Sequence, residues 1–212
     1  MKIAGVLGSS LIDYPGHIAC VVFLQGCNWN CTYCHNKALI PLQAAENSVS
    51  YPTQGLGEPL STSDSDGGML RSRERSHIDF PEQLYAYLET RRGLLDGVVV
   101  TGGEPTIHAG LQILLEEIRS MDFSVKLDTN GSNPRMLTQL LDAGCVDYVA
   151  MDIKAPWYKY SEICGPHADA ARVKESLGIL QHSAIAWEAR TTLCPELDED
   201  DVAWLEELGY FR

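Results

Sequence analysis

Five short apolar runs recur along the chain, each ending in glycine or polar residues. "HIACVVFLQG" (17–26) is rich in β-branched residues and stops at a glycine, and "DGVVVTGGEP" (96–105) is a continuous valine run closed by two glycines. An unbroken apolar run of that length predicts a strand buried on both faces. "FSVKLDTNG" (123–131), "VDYVAMDIKAP" (146–156) and "AIAWEARTTL" (184–193) predict three more strands. Between the runs, apolar residues return at three- and four-residue intervals. Ile107, Leu111, Leu114, Leu115 and Ile118 share one helical face. Asn133-Pro134 starts a second helix around Met136, Leu137, Leu140 and Leu141, and Gly144 stops it. Val173, Leu177 and Leu180 mark a third, and Val202, Leu205 and Leu208 a last. Strands alternating with helices predict parallel β/α units.

The polar residues fall in register with this pattern. The first strand leads to Cys27, Cys31 and Cys34, the second to "TGGEP", the third to "DTNG", the fourth to "MDIK" and the fifth to "ARTT". In a parallel barrel or open α/β sheet the carboxyl ends of the strands lie on one rim, where ligands bind. Five groups far apart in the chain are therefore expected at one mouth. From 43 to 77 the pattern lapses into Ser, Gly, Pro and charge without periodicity, which predicts a flexible insertion in an otherwise single domain spanning 1–212.

Composition narrows the class. With 45% hydrophobic and 21% charged residues the chain is of globular type. A net charge of -13 argues against nucleic-acid binding through a broad basic face. The N-terminus lacks the basic start and apolar core of a signal peptide, and no stretch reaches the roughly 18 apolar residues of a membrane span. A cytoplasmic protein is expected. In that reducing compartment seven cysteines read as ligands or buried thiols, with Cys20, Cys145, Cys164 and Cys194 as small buried side chains.

The other three sit in "GCNWNCTYCHN" (26–36). The C-x3-C-x2-C spacing can wrap three corners of a [4Fe–4S] cluster and leave one iron without a thiolate. A zinc site with His35 as fourth ligand is the alternative, although adjacent Cys34 and His35 are awkward partners on one ion.

"CNWNCTYCHN" followed by "GGEP" resembles the radical S-adenosylmethionine (SAM) enzymes. With "LIDYPG", "VKLDTNGSNP", "VDYVAMDIKAPWYKY" and "EARTT", the chain resembles the activating proteins of glycyl radical enzymes, most closely those serving an anaerobic ribonucleoside-triphosphate reductase. The resemblance implies a partial (β/α) barrel of parallel strands. The chain stops at "LEELGYFR", short of the last strand that the resemblance calls for. It also implies a cluster held by Cys27, Cys31 and Cys34, reductive cleavage of SAM, and hydrogen abstraction from a partner glycine. Tyr33 and His35 would lie against the adenine, with Gly102, Gly103 and Glu104 at the methionine end and Asn130 among the cofactor-binding residues. Lys154 and Arg190 would face the SAM carboxylate, and Asp128 and Asp152 would help bind a monovalent cation. A flavodoxin or ferredoxin would supply the electron. The same loop also fits small-molecule enzymes such as the carboxy-deazaguanine synthases, and a zinc-stabilised binding module is the non-enzymatic alternative.

Overall fold

The computed structural model describes residues 1–41 and 81–209. The insertion expected at 43–77 lies outside the described residues. Six strands form one open sheet in sequence order: β1 (Ile3–Ser10), β2 (Ala19–Leu24), β3 (Gly97–Gly102), β4 (Ser124–Thr129), β5 (Tyr148–Asp152) and β6 (Ala186–Arg190). The five strands expected from the apolar runs are β2 to β6, and they are parallel to one another. The addition is β1, which pairs antiparallel with β2. Its sequence, IAGVLGSS, is too rich in small residues to read as an apolar run. The sheet is mostly parallel and does not close.

Helices α1 (Pro81–Glu89), α2 (Leu111–Ser120), α3 (Pro134–Asp142), α4 (Tyr160–Cys164), α5 (Ala170–Gln181) and α6 (Glu199–Glu207) intervene or follow. The Asn133 side chain accepts from the Met136 N–H and Pro134 occupies the first turn, so α3 starts where its capping residues predict. Asp198 and Asp201 form a reciprocal capping box on α6.

The valine run explains the layering. Val98 and Val100 pack on one side of the sheet with Leu111, Leu114 and Leu115 of α2 and Leu137 and Leu140 of α3. Val99 points to the other side, among Tyr14, Ala19 and Val21. All three valines are fully buried, each worth roughly 1.5–3 kcal/mol relative to exposure. Period-two alternation then decides the chemistry of β4: Val125 and Leu127 belong to the helix-covered core, whereas Lys126 and Asp128 share the opposite face. Among the described residues no helix is long and apolar enough to cross a membrane.

Candidate functional site

The ends of β2 to β5 and the turn after β6 surround a cavity of about 220 Å³. Cys27, Cys31, Tyr33, Cys34 and His35 line it from the loop after β2. Gly102, Gly103 and Glu104 come from the end of β3, Asp128 and Asn130 from β4, and Asp152 and Lys154 from β5. Of the residues expected in the site only Arg190 stands outside this lining, one layer behind it. Trp29, Asn36, Ile40, Thr101, Thr129 and Thr192 complete the walls.

The cysteine loop is clamped from two sides. The Gly26 and Cys27 N–H groups donate to the carbonyls of Leu39 (2.6 Å) and Ile40 (3.1 Å), and the Gln25 side chain donates to the Ala38 and Pro41 carbonyls. On the far side the Asn30 and Thr32 N–H groups donate to the Cys164 (3.1 Å) and Ile163 (2.9 Å) carbonyls at the end of α4. Trp29 is buried, edge-on to Tyr160. It fastens the loop to the core.

The two glycines have a sterically exact reason. Gly102 adopts φ +131°, and a Cβ there would stand 2.3 Å from the Leu24 backbone. At Gly103 a Cβ would stand 2.0 Å from the Gly26 carbonyl oxygen. Glycine lets the end of β3 lie directly on the start of the cysteine loop, where the Gly103 and Glu104 N–H groups donate to the Leu24 (3.0 Å) and Gly26 (2.8 Å) carbonyls. The close approach that the motif requires is to the protein's own backbone.

Glu104 is almost wholly buried, and its carboxylate works as a clip. One oxygen accepts from the Thr106 N–H (3.0 Å), the Thr106 hydroxyl and the Thr129 hydroxyl (2.7 Å), and the other accepts from the Asn130 N–H (2.6 Å). Burial raises its pKa above the ordinary carboxylate value, against the pull of these four donors. Asn130 continues the connection by donating to Asn28 (3.1 Å), and Asn28 donates to Ser132 (2.8 Å), so the β4 turn is tied to the cysteine loop.

The opposite wall is ionic. Lys126 donates to one oxygen of Asp128 (2.6 Å), and Arg190 donates to the other (3.2 Å). Arg190 also reaches one oxygen of Asp152 (3.2 Å), and Lys154 donates to the second (3.1 Å). Each of the four carboxylate oxygens therefore faces a cation of the protein itself, at the place where a monovalent cation was expected. Lys126 is the residue that sequence reasoning missed. Its signal was a lysine two positions before an aspartate inside a buried strand. Burial alone would raise Asp152, but Lys154 and Arg190 override it and hold its carboxyl below the usual range. Burial would lower Lys154, but Asp152, Tyr33 and Cys31 together outweigh it and raise the ammonium above the ordinary lysine value. Three cations against two carboxylates leave this wall one positive charge.

The sulfur chemistry is uneven. Burial pushes the Cys27 thiol up to about 11. A hydrogen bond from Cys164 holds Cys31 below the ordinary thiol value, and the same bond together with burial pushes Cys164 up. Cys20, Cys145, Cys164 and Cys194 are all buried, as expected of the scattered cysteines. Among the described residues no three His, Cys, Asp or Glu side chains surround a single ion-sized point. The Tyr33 hydroxyl, on the cavity wall, is buried without a hydrogen-bond partner among the described residues. Free thiols beside bare glycine backbone, an orphaned phenol and a wall of net positive charge suit a thiolate-bound cluster with an anionic ligand next to it.

The chain belongs to the radical SAM superfamily, whose family model matches residues 21–208. Proteins of this family use a [4Fe–4S] cluster and SAM. Among individual relatives, the chain is 29% identical over 206 residues to a Methanocaldococcus jannaschii protein whose assigned name, glycyl-radical enzyme activating enzyme MJ1227, is itself provisional. That match covers 94% of this chain and 72% of the relative. A shorter match, 36% identical over 77 residues, is to the 7-carboxy-7-deazaguanine synthase of Neisseria meningitidis serogroup B and covers 36% of this chain and 33% of the synthase. The crystal structure of Streptococcus suis SuiB shares the fold, with a TM-score of 0.57 at 12% identity over 88% of this chain and 35% of SuiB.

Proposed function

We propose that this chain is a glycyl-radical enzyme activase, a single radical SAM domain acting in the cytoplasm on an anaerobic ribonucleoside-triphosphate reductase. The observation that carries the reading is the convergence of the three loop cysteines, the Gly102-Gly103 turn and the Lys126–Asp128–Arg190–Asp152–Lys154 chain on one cavity. Similarity to the M. jannaschii protein over nearly the whole chain supports the activase over other radical SAM reactions.

In this reading Cys27, Cys31 and Cys34 would hold the cluster, which when bound would supply the electron for reductive cleavage of SAM. The protein's own residues position and shield. Tyr33 and His35 stand on the adenine side of the cavity, and the Gly102–Glu104 backbone and the Asn130 side of the β4 turn border the methionine side. Lys154 lines the cavity with its ammonium 5.9 Å from the centre of the Tyr33 ring, and it meets the SAM carboxylate. Arg190, with its fork spent on two aspartates, holds Lys154's partner Asp152 in place. That fixed ionic wall substitutes for a monovalent cation. A partner backbone enters a recessed cavity most easily where it carries no side chain, which suits glycine as the target. A flavodoxin or ferredoxin supplies the electron.

The deciding experiment is anaerobic reconstitution followed by incubation with reductant, SAM and a candidate reductase. A glycyl signal in electron paramagnetic resonance, lost with Cys31→Ala, is the expected result. SAM cleavage that leaves every reductase silent but turns over a small molecule would favour the second reading, a carboxy-deazaguanine synthase-like enzyme, which the 77-residue match supports. A colourless zinc protein would end both in favour of a binding module.

A further inference from the structure

The charges of the chain are spread unevenly around the cysteine loop. Of 29 acidic residues, the stretch 1–41 holds one, Asp13. Asp13 lies beyond the far end of β1, where its carboxylate accepts the Ser10 hydroxyl. The eight residues of β1 carry it about 25 Å away. The near end of β1 borders the loop. The Gln25 N–H donates to the Lys2 carbonyl (3.0 Å), and the Gln25 side chain donates to the carbonyls of Ala38 (3.0 Å) and Pro41 (2.7 Å). One residue thus holds the backbone at Lys2 beside the single 3-10 turn Lys37–Leu39. Lys37 is exposed and Lys2 partly exposed. Among the described residues neither makes an ion pair, whereas Arg92, Arg119, Lys154, Lys159 and Arg190 all do. The turn also rests directly on the loop, because the Leu39 and Ile40 carbonyls take the Gly26 and Cys27 N–H groups. Lys37 is three positions from Cys34, which limits their Cα separation to about 11 Å.

We infer that this face, carrying Lys2 and Lys37, is the docking surface for a small acidic protein that delivers one electron. The inference rests on the proposed reading of Cys27, Cys31 and Cys34 as cluster ligands. A chain of net charge -13 repels an acidic protein from most directions, so such a carrier is steered to the face where carboxylates are missing and two lysines stand unpaired. Electron transfer weakens steeply with distance, and a carrier seated on the Lys37 turn is one hydrogen bond from the Cys27 backbone. In the step the carrier is oxidised by one electron and the cluster reduced by one, with no bond made or broken. Neither lysine lines the cavity.

The test is stopped-flow reduction of the anaerobically reconstituted protein by a reduced flavodoxin of acidic surface, with iron counted in the same samples. In Lys2→Glu/Lys37→Glu the second-order rate constant at about 0.02 M ionic strength should fall about tenfold, and the difference should shrink to about twofold or less at about 0.5 M. The Kd for flavodoxin, read from its flavin fluorescence, should rise by a similar factor. Photoreduction by a neutral deazaflavin, which needs no docking, should match the wild type. Arg92→Glu makes the same change of charge ahead of β3, at the opposite end of the sheet, and should slow flavodoxin by no more than about twofold. Should the double variant lose iron, Lys2→Gln/Lys37→Gln takes its place in the same comparison. An unchanged rate constant, or an equal fall with Arg92→Glu or with the deazaflavin, overturns the inference while leaving the cluster reading intact. A wild-type cluster that takes electrons from the deazaflavin but from neither flavodoxin nor a ferredoxin does the same. Wild-type protein that binds no iron overturns both.

Discussion

The two walls of the cavity are built on opposite principles. On the β2–β3 side the contact itself is set by backbone: Gly103 lies on Gly26 and four main-chain hydrogen bonds clamp the cysteine loop, with Gln25, Asn28 and Trp29 side chains fastening it to its surroundings. On the β4–β6 side it is set by side chains, five charged groups whose positions depend on one another. A backbone wall tolerates no added atom at its contact point but is indifferent to charge. In an ionic wall the cost of losing a partner depends on which charges still pair the group left behind. The same kind of substitution should therefore have different consequences on the two sides.

The largest effect is expected at the backbone wall. Gly103→Ala places a Cβ 2.0 Å from a carbonyl oxygen that belongs to the main chain and cannot swing aside. Either β3 or the cysteine loop must move. We expect a loss of about 3 kcal/mol in chemical denaturation, the upper part of the range for overpacking, together with poor retention of iron after reconstitution. Gly110, where an added Cβ meets nothing, is the control: Gly110→Ala should leave iron content unchanged. If Gly103→Ala folds and loads like the wild type, the close approach is not what the double glycine is for.

Glu104 joins the two walls, and its effect should be intermediate. Glu104→Gln keeps the shape but turns one acceptor oxygen into a donor, so an amide must face either the Asn130 N–H or the threonine donors. An unsatisfied buried group of this kind costs about 1–3 kcal/mol. Because burial raises the Glu104 pKa, the ionised carboxyl is the penalised form. Its contribution to stability is complete below the ordinary carboxylate pKa and is lost as pH rises through the raised folded value. The gap between wild type and variant should accordingly widen toward acid and narrow toward neutral pH. A gap independent of pH would mean that the clip is purely one of shape.

The difference between the walls also explains what could be read from the sequence. Val98 to Val100 announce β3, and the cysteine spacing and double glycine announce the backbone wall, because each depends on neighbours close along the chain. β1 was hidden because its strand character comes from pairing with β2, not from its own residues. On the ionic wall the individual residues Asp128, Asp152, Lys154 and Arg190 were legible at strand ends. Their pairing was not, since Arg190 reaches Asp128 across 62 residues and Asp152 across 38.

The smallest effect, and the most informative about charge, is expected at Lys126. Its side chain is 1% exposed and, among the described residues, its one ion-pair partner is Asp128, which keeps Arg190 if the lysine is removed. Lys126→Met preserves length and removes the charge. Breaking one side of a buried pair can cost 3–5 kcal/mol, but with Arg190 still in contact the loss should be about 1 kcal/mol. The wall would then carry two cations against two carboxylates, and one oxygen of Asp128 would be open to a small ion. SAM affinity of the variant should therefore weaken in tetramethylammonium chloride and recover several-fold in potassium chloride, whereas the wild type, carrying its own cation, should bind SAM equally in both. Equal cation dependence in the two proteins would mean that Lys126 does not stand in for an ion, and the ionic wall would need a cation from solution despite having every carboxylate oxygen already paired.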